Sequence, residues 1–139
     1  MKKDDCIFCR IAAGEIPSAT VYEDDGFRAI LDLGPAAKGH MLILPKDHYA
    51  DVTELPEECA GPVLMLGKKL GMAAMKGLGA TGFNLVQNNG ASAGQTVRHF
   101  HLHVIPRYDD GAVIAAWTPG ENTAEEREEI AQAVRAGLE

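Results

Sequence analysis

At 139 residues the chain has the length of one ordinary domain, and its 13 basic against 20 acidic residues give a net charge of -7. That balance excludes the broad positive field needed to hold a nucleic-acid polymer, while a local site for a small anion stays open. No apolar run is long enough to span a bilayer, and the start MKKDDCIFC carries two lysines with no uncharged apolar stretch behind them, so we expect a cytoplasmic protein with no membrane partner.

The segment CIFCRIAAGEIPSA reads as a short helix closed by Gly14, with Pro17 preventing its continuation. TVYED and FRAILDL read as two strands turned at Asp25-Gly26. GHMLILPKDH gives a third strand, apolar and buried, ended by Pro45. From Pro56 to about Leu78 the pattern is helical: Pro56 suits a first turn, Glu57 and Glu58 favour the positive dipole end, and Lys76 lies near the other. Pro62 predicts a kink or a delayed start. GFNLVQNNG is a fourth strand running into the loop NNGASAG, and QTVRHFHLHVIPRY contains the fifth. Thr123 with Glu126 makes a capping box for a last helix through about Ala136. The chain shows no repeats and no second domain. The order predicts one α+β domain over residues 1–139, a mainly antiparallel five-stranded meander with a long helix and a C-terminal helix. With the helices on one face, the other is free for histidines.

His99, His101 and His103 stand at every second position. In a strand, positions two apart lie about 7 Å apart on one face, so the three imidazoles share a face while Phe100, Leu102 and Val104 point to the core. Three alternating rings would crowd one another without structural benefit, which points to chemistry or metal. The preceding loop sets Ala91, Ser92 and Ala93 between Gly90 and Gly94, allowing close backbone approach and an anion-binding nest. Asn88, Gln95 and Thr96 add neutral donors. Cys6 and Cys9 stand as Cys-x-x-Cys, a metal or redox spacing; a thioredoxin-like use competes, although the βαβ context of such proteins is missing.

These residues resemble the signature of the histidine triad (HIT) superfamily, carried by GQTVRHFHLHVIPR. CIFCRIAAGEIPSATVYEDD resembles its amino-terminal segment, LDLGPAAKGHMLILPKDH its central strand, and GFNLVQNNG the segment before its phosphate loop. The amino-terminal half and the CxxC place the chain nearer the bacterial Hint-like branch than the Fhit-like dinucleoside hydrolases. The resemblance implies a HIT-like fold and cleavage at the α-phosphate of purine nucleoside monophosphate derivatives, such as phosphoramidates and adenylylated compounds, through a covalent nucleotidyl-histidine. It gives His101 as nucleophile, His103 on the phosphate oxygens, and His40 as a supporting histidine. Asn88, Gly94, Gln95 and Thr96 would serve the phosphate, Thr96 also in catalysis. Ile7, Phe8, Ile11, Ile16, Ile30 and Leu33 resemble the apolar walls around a purine, and Asp32 the carboxylate that accepts ribose hydroxyls. AMP or GMP derivatives are the implied ligands.

By the same resemblance, Cys6, Cys9, His48 and His99 are the ligands of a structural zinc ion, and Cys59 is a packing residue. The long helix carries Val63, Leu64, Leu66, Leu70 and Met72, more apolar surface than one face needs, which fits a family that dimerises. The chain continues through AAWTPG where eukaryotic Hint proteins end, and Trp117 is placed within reach of a neighbouring site. Three other readings stand beside the phosphoramidase: a dinucleoside polyphosphate hydrolase or nucleotidyl transferase, a nucleotide-binding sensor with incidental hydrolysis, and a module whose whole triad ligates metal.

Overall fold

The computed structural model describes residues 1–114 and 118–138; Trp117 lies outside them. In chain order the elements are α1 (Ile7–Ala12), β1 (Thr20–Glu23), β2 (Phe27–Leu31), β3 (Met41–Pro45), α2 (Glu57–Leu78), β4 (Gly82–Val86), β5 (Leu102–Arg107) and α3 (Ala124–Gly137). No helix among the described residues is long and apolar enough to cross a membrane.

The five strands form one antiparallel sheet in the order β1-β2-β3-β5-β4. The last strand is therefore inserted between β3 and β4, and only the first three follow a meander. The β1–β2 turn is set by Asp24 rather than by a left-handed glycine: its carboxylate accepts the N–H groups of Gly26 and Phe27, each at 2.8 Å.

β3 is buried throughout, because both faces of the sheet are covered. On one face Ala29, Met41, Ile43, Leu102 and Val104 meet Val63, Leu66 and Leu70 of α2. The helix lies close because its contact stripe includes glycines: a Cβ on Gly67 would stand 3.0 Å from Leu102, and one on Gly71 would stand 2.4 Å from the Phe83 ring. Pro62 is accommodated inside α2, which runs on past it. On the other face Ile30, Leu42 and Leu44 pack against Ala12, with Phe8 and Ile11 at the margin. Helices therefore lie on both faces, not one, and the short α1 walls the face that carries the histidines.

Candidate active site and metal centre

The histidine segment is less regular than simple alternation predicts. Strand β5 begins only at Leu102, so His103 lies in it while His99 and His101 lie in its lead-in. Pairing with β3 stops at Ile43 opposite Leu102, because Pro45 has no N–H to offer and its carbonyl is taken by the His99 ring at 2.9 Å. The Phe100 N–H instead goes to the Tyr49 carbonyl at 2.6 Å. The facing is nonetheless as the pattern predicts, with Phe100, Leu102 and Val104 in the core beneath α2.

The hydrogen-bond network assigns the tautomers. His101 Nδ1–H donates to the His99 carbonyl at 2.7 Å, leaving its Nε2 lone pair without a partner among the described residues. His40 Nδ1 accepts the Ala36 N–H at 3.0 Å, so its proton sits on Nε2. That proton faces His103 Nδ1 at 2.9 Å and the Asp32 carboxylate at 3.5 Å. His103 consequently carries its own proton on Nε2. Burial holds His40 and His101 below the ordinary imidazole pKa, and burial with the neighbouring His101 and His40 rings pushes His103 down to about 4. All three rings are neutral at pH 7. One presents a nucleophilic lone pair and another an N–H donor.

His101 and His103 open into a cavity of about 320 Å³. Ile7, Phe8 and Ile11 of α1 form one wall; Ile16, Ile30 and Leu33 complete the apolar lining; Asp32 and Thr96 supply its polar edges. Leu33 is fully exposed and stands at the rim. Asp32 uses one oxygen on the Gly34 N–H at 2.8 Å. Pro17, Ser18, Ala19 and Leu42 also line the cavity; the chain gives no composition signal for them, since a turn after a short helix has no marked function until folding places it there.

The loop before the histidines departs from expectation at Gln95. This side chain is buried and spent: its oxygen accepts the Gly90 N–H at 2.8 Å and Arg98 at 2.9 Å, and its nitrogen donates to the Ala50 and Val97 carbonyls. The Gly94 and Gln95 N–H groups are also turned inward, onto Ala91 and Gly90. Gln95 is thus a brace rather than a direct donor, and the expected nest is largely closed. Thr96, by contrast, gives neither its N–H nor its hydroxyl to any described residue. The Asn88 amide bonds no described residue, but it stands with His40 and the other side of His103, in a separate hollow shared with Val86 and Arg107. Gly94, at φ +94°, lies beside it: a Cβ there would be 3.8 Å from the Asn88 amide nitrogen.

Behind the cavity, Cys6 Sγ, Cys9 Sγ, His48 Nδ1 and His99 Nδ1 all lie within 4.8 Å of one another. Cys9 Sγ is 3.3 Å from His48 Nδ1 and 3.4 Å from His99 Nδ1, and Cys6 Sγ is 3.5 Å from His99 Nδ1. A tetrahedron with metal–sulfur bonds of about 2.3 Å and metal–nitrogen bonds of about 2.0 Å has sulfur–nitrogen edges of about 3.5 Å. His99 Nε2–H, bonded to Pro45, turns the Nδ1 lone pair to the thiols. The donor set and its spacing fit a tetrahedral thiophilic ion with no open position. Burial raises the Cys9 thiol pKa, so an uncharged thiol is the resting form without an ion.

Comparison with known proteins gives a profile described as HIT domain that matches residues 13–110. An adenylylsulfatase of Arabidopsis thaliana is 43% identical over 105 residues, covering 76% of this chain and 53% of that protein. An adenosine 5'-monophosphoramidase of Schizosaccharomyces pombe is 42% identical over 102 residues, covering 73% of this chain and 74% of the relative. Among solved structures, a protein from Streptococcus mutans superposes with a TM-score of 0.92 at 35% identity, covering 99% of this chain and 88% of the other. A zinc-bound histidine triad family protein from Mycobacterium smegmatis gives 0.76 at 38% identity, covering 96% of this chain and 95% of its own.

Proposed function

The chain belongs to the HIT-domain family, and on that premise we propose that it is a nucleotide hydrolase that cleaves purine nucleoside monophosphate derivatives at the α-phosphate, with His101 as nucleophile. The observation that carries this reading is the His101 ring: neutral, held by its Nδ1–H on the His99 carbonyl, with the Nε2 lone pair free at the cavity. Two similar proteins are named for hydrolysis of adenylyl compounds, one a phosphoramidase and one an adenylylsulfatase, which supports a phosphoramidate or mixed-anhydride substrate.

His101 Nε2 attacks the α-phosphorus; the bond to the leaving group breaks and the leaving group takes its electron pair, an amine departing after its nitrogen has taken a proton from solvent and an acid departing as its anion. The imidazolium so formed keeps its Nδ1–H on the His99 carbonyl. His103 Nε2–H and the Thr96 hydroxyl and N–H serve the equatorial oxygens, where charge develops. Water then displaces His101 from phosphorus, releasing the nucleoside monophosphate and restoring the neutral ring. The apolar wall takes the base, and the second oxygen of Asp32 accepts ribose hydroxyls.

Cys6, Cys9, His48 and His99 would hold a structural zinc ion; four protein ligands leave it no role as a carrier of reactive water. A homodimer is supported by the position of β4 as an edge strand of the sheet among the described residues and by the apolar residues that α2 leaves exposed.

His101→Ala tests the mechanism. Turnover of an adenosine phosphoramidate is lost while AMP binding is retained, and acid-free quenching of the unaltered protein followed by peptide mass spectrometry finds the nucleotidyl adduct on the peptide containing His101. Full activity in the variant, or an adduct on another residue, refutes it. A panel of P–N, P–O and P–S substrates then ranks the leaving groups, and a protein that binds AMP tightly but turns over none of them is a sensor.

A further inference from the structure

We propose that the metal centre is a positioning element for the nucleotide cavity, acting through His99 and Phe8, so that filling it tightens nucleotide binding and fixes the His101 ring. This rests on the reading of Cys6, Cys9, His48 and His99 as metal ligands.

Residue 99 faces two ways. Its ring turns Nδ1 to the thiols of Cys6 and Cys9 at 3.5 and 3.4 Å, and its backbone carbonyl is the acceptor that holds His101 at 2.7 Å. The group that an ion would fix thus belongs to the same residue as the atom that orients the reacting ring. Phe8 makes the second link. It lies between the two cysteines in the chain, and its ring meets His101 edge-on at a centroid distance of 5.0 Å and His99 at 6.1 Å. Ile7, its neighbour, lines the same cavity.

The two ends of α1 are fastened differently. At the C-terminal end, Arg28 donates to the Ile11 carbonyl at 2.9 Å and Ala12 is buried in the apolar cluster. At the N-terminal end, the turn carrying Ile7 and Phe8 is joined to His48 and His99 through the two thiols. Thiol–imidazole contacts near 3.4 Å are weak hydrogen bonds, whereas coordination draws the same atoms onto one centre through bonds of about 2.0 to 2.3 Å. An ion therefore orders the wall before the nucleotide arrives, and the nucleotide no longer bears that ordering cost. Linkage requires the converse: AMP must tighten metal binding by the same factor.

The test uses the full chain and Cys6→Ser, in which the serine oxygen can still cap α1 as Cys6 does by accepting the Cys9 N–H while one thiolate ligand is lost. Zinc affinity is measured with and without saturating AMP, AMP affinity with and without zinc, both by calorimetry, alongside far-ultraviolet circular dichroism and nitrogen-15 spectra of the histidine rings. The expected result is a reciprocal factor of at least tenfold, unchanged helix content, and a His101 Nδ1–H signal that broadens on chelation and returns when zinc is restored. Equal AMP affinity with and without zinc in a folded chain overturns the proposal, and so does loss of helix content in step with AMP binding, which makes the ion a requirement of the whole fold. Failure of the ligand reading itself is distinct: cobalt(II) then gives no thiolate charge-transfer absorption.

Discussion

His103 shows how burial sets the working state of a single ring. Its pKa, pushed to about 4 from an ordinary 6.5 by desolvation and by the His101 and His40 rings, means that the native ring resists a proton that the unfolded chain accepts. Its contribution to stability is full above pH 6.5 and is lost as the pH falls toward 4. Nitrogen-15 titration should find His103 neutral, with its proton on Nε2, at pH 5.5; a midpoint near 6.5 contradicts the network of Ala36, His40 and His103. Thr96 is the complementary case, an exposed side chain that gives no hydrogen bond to any described residue. Thr96→Val should slow turnover by about 10²-fold, the scale on which one positioned donor acts, without lowering the melting temperature, since no protein contact is lost. Gln95, its neighbour, has every polar atom engaged, and Gln95→Ala should instead lower stability by about 1–3 kcal/mol through the buried groups left unpaired.

Among elements, α2 shows why glycines in one helix have opposite meanings. Gly71 faces Phe83 of β4 with no room for a Cβ, while Gly77, six residues further along the same helix, has nothing within 4 Å. Gly71→Ala should cost about 1–3 kcal/mol by forcing the ring or the helix aside. Gly77→Ala should stabilise by about 0.5–1 kcal/mol, because only the conformational freedom of the unfolded chain is reduced. Denaturant unfolding of the two variants reads the difference in sign. The capping box on α3 shows the limit of local signals: Thr123 and Glu126 exchange both bonds at 3.1 Å, yet the helix buries none of its residues. A cap specifies where a helix starts and nothing about what it packs on.

On the scale of the whole molecule, Leu66 and Leu70 serve the core of the chain, and the apolar residues that α2 leaves most exposed are Leu64, Met65 and Met72, each more than half exposed. The expected dimer contact, on α2 and the strand around Phe83 to Val86, therefore falls to these positions rather than to Leu66 and Leu70, together with the edge strand β4. Light scattering at micromolar concentration should give twice the chain mass, and Leu64→Glu with Met72→Glu should give the monomer with its melting largely intact, since neither side chain is buried in the protomer; a monomer mass for the unaltered chain refutes the interface. The strands, the two long helices and the candidate residues for a cavity wall and a metal site were legible in the chain alone, because periodicity, caps and motif spacing are local or are carried by family resemblance. The folded chain was needed to place β5 between β3 and β4, to cover both faces with helices, to make Gln95 a brace while Thr96 bonds no described residue, and to set the His99 ring beside Cys6 and Cys9 with its carbonyl on His101. Each of these depends on which groups from distant parts of the chain compete for the same hydrogen bond or the same space, as Pro45, Tyr49 and Ala50 do for the segment around the histidines, and such competition has no period or spacing in the sequence.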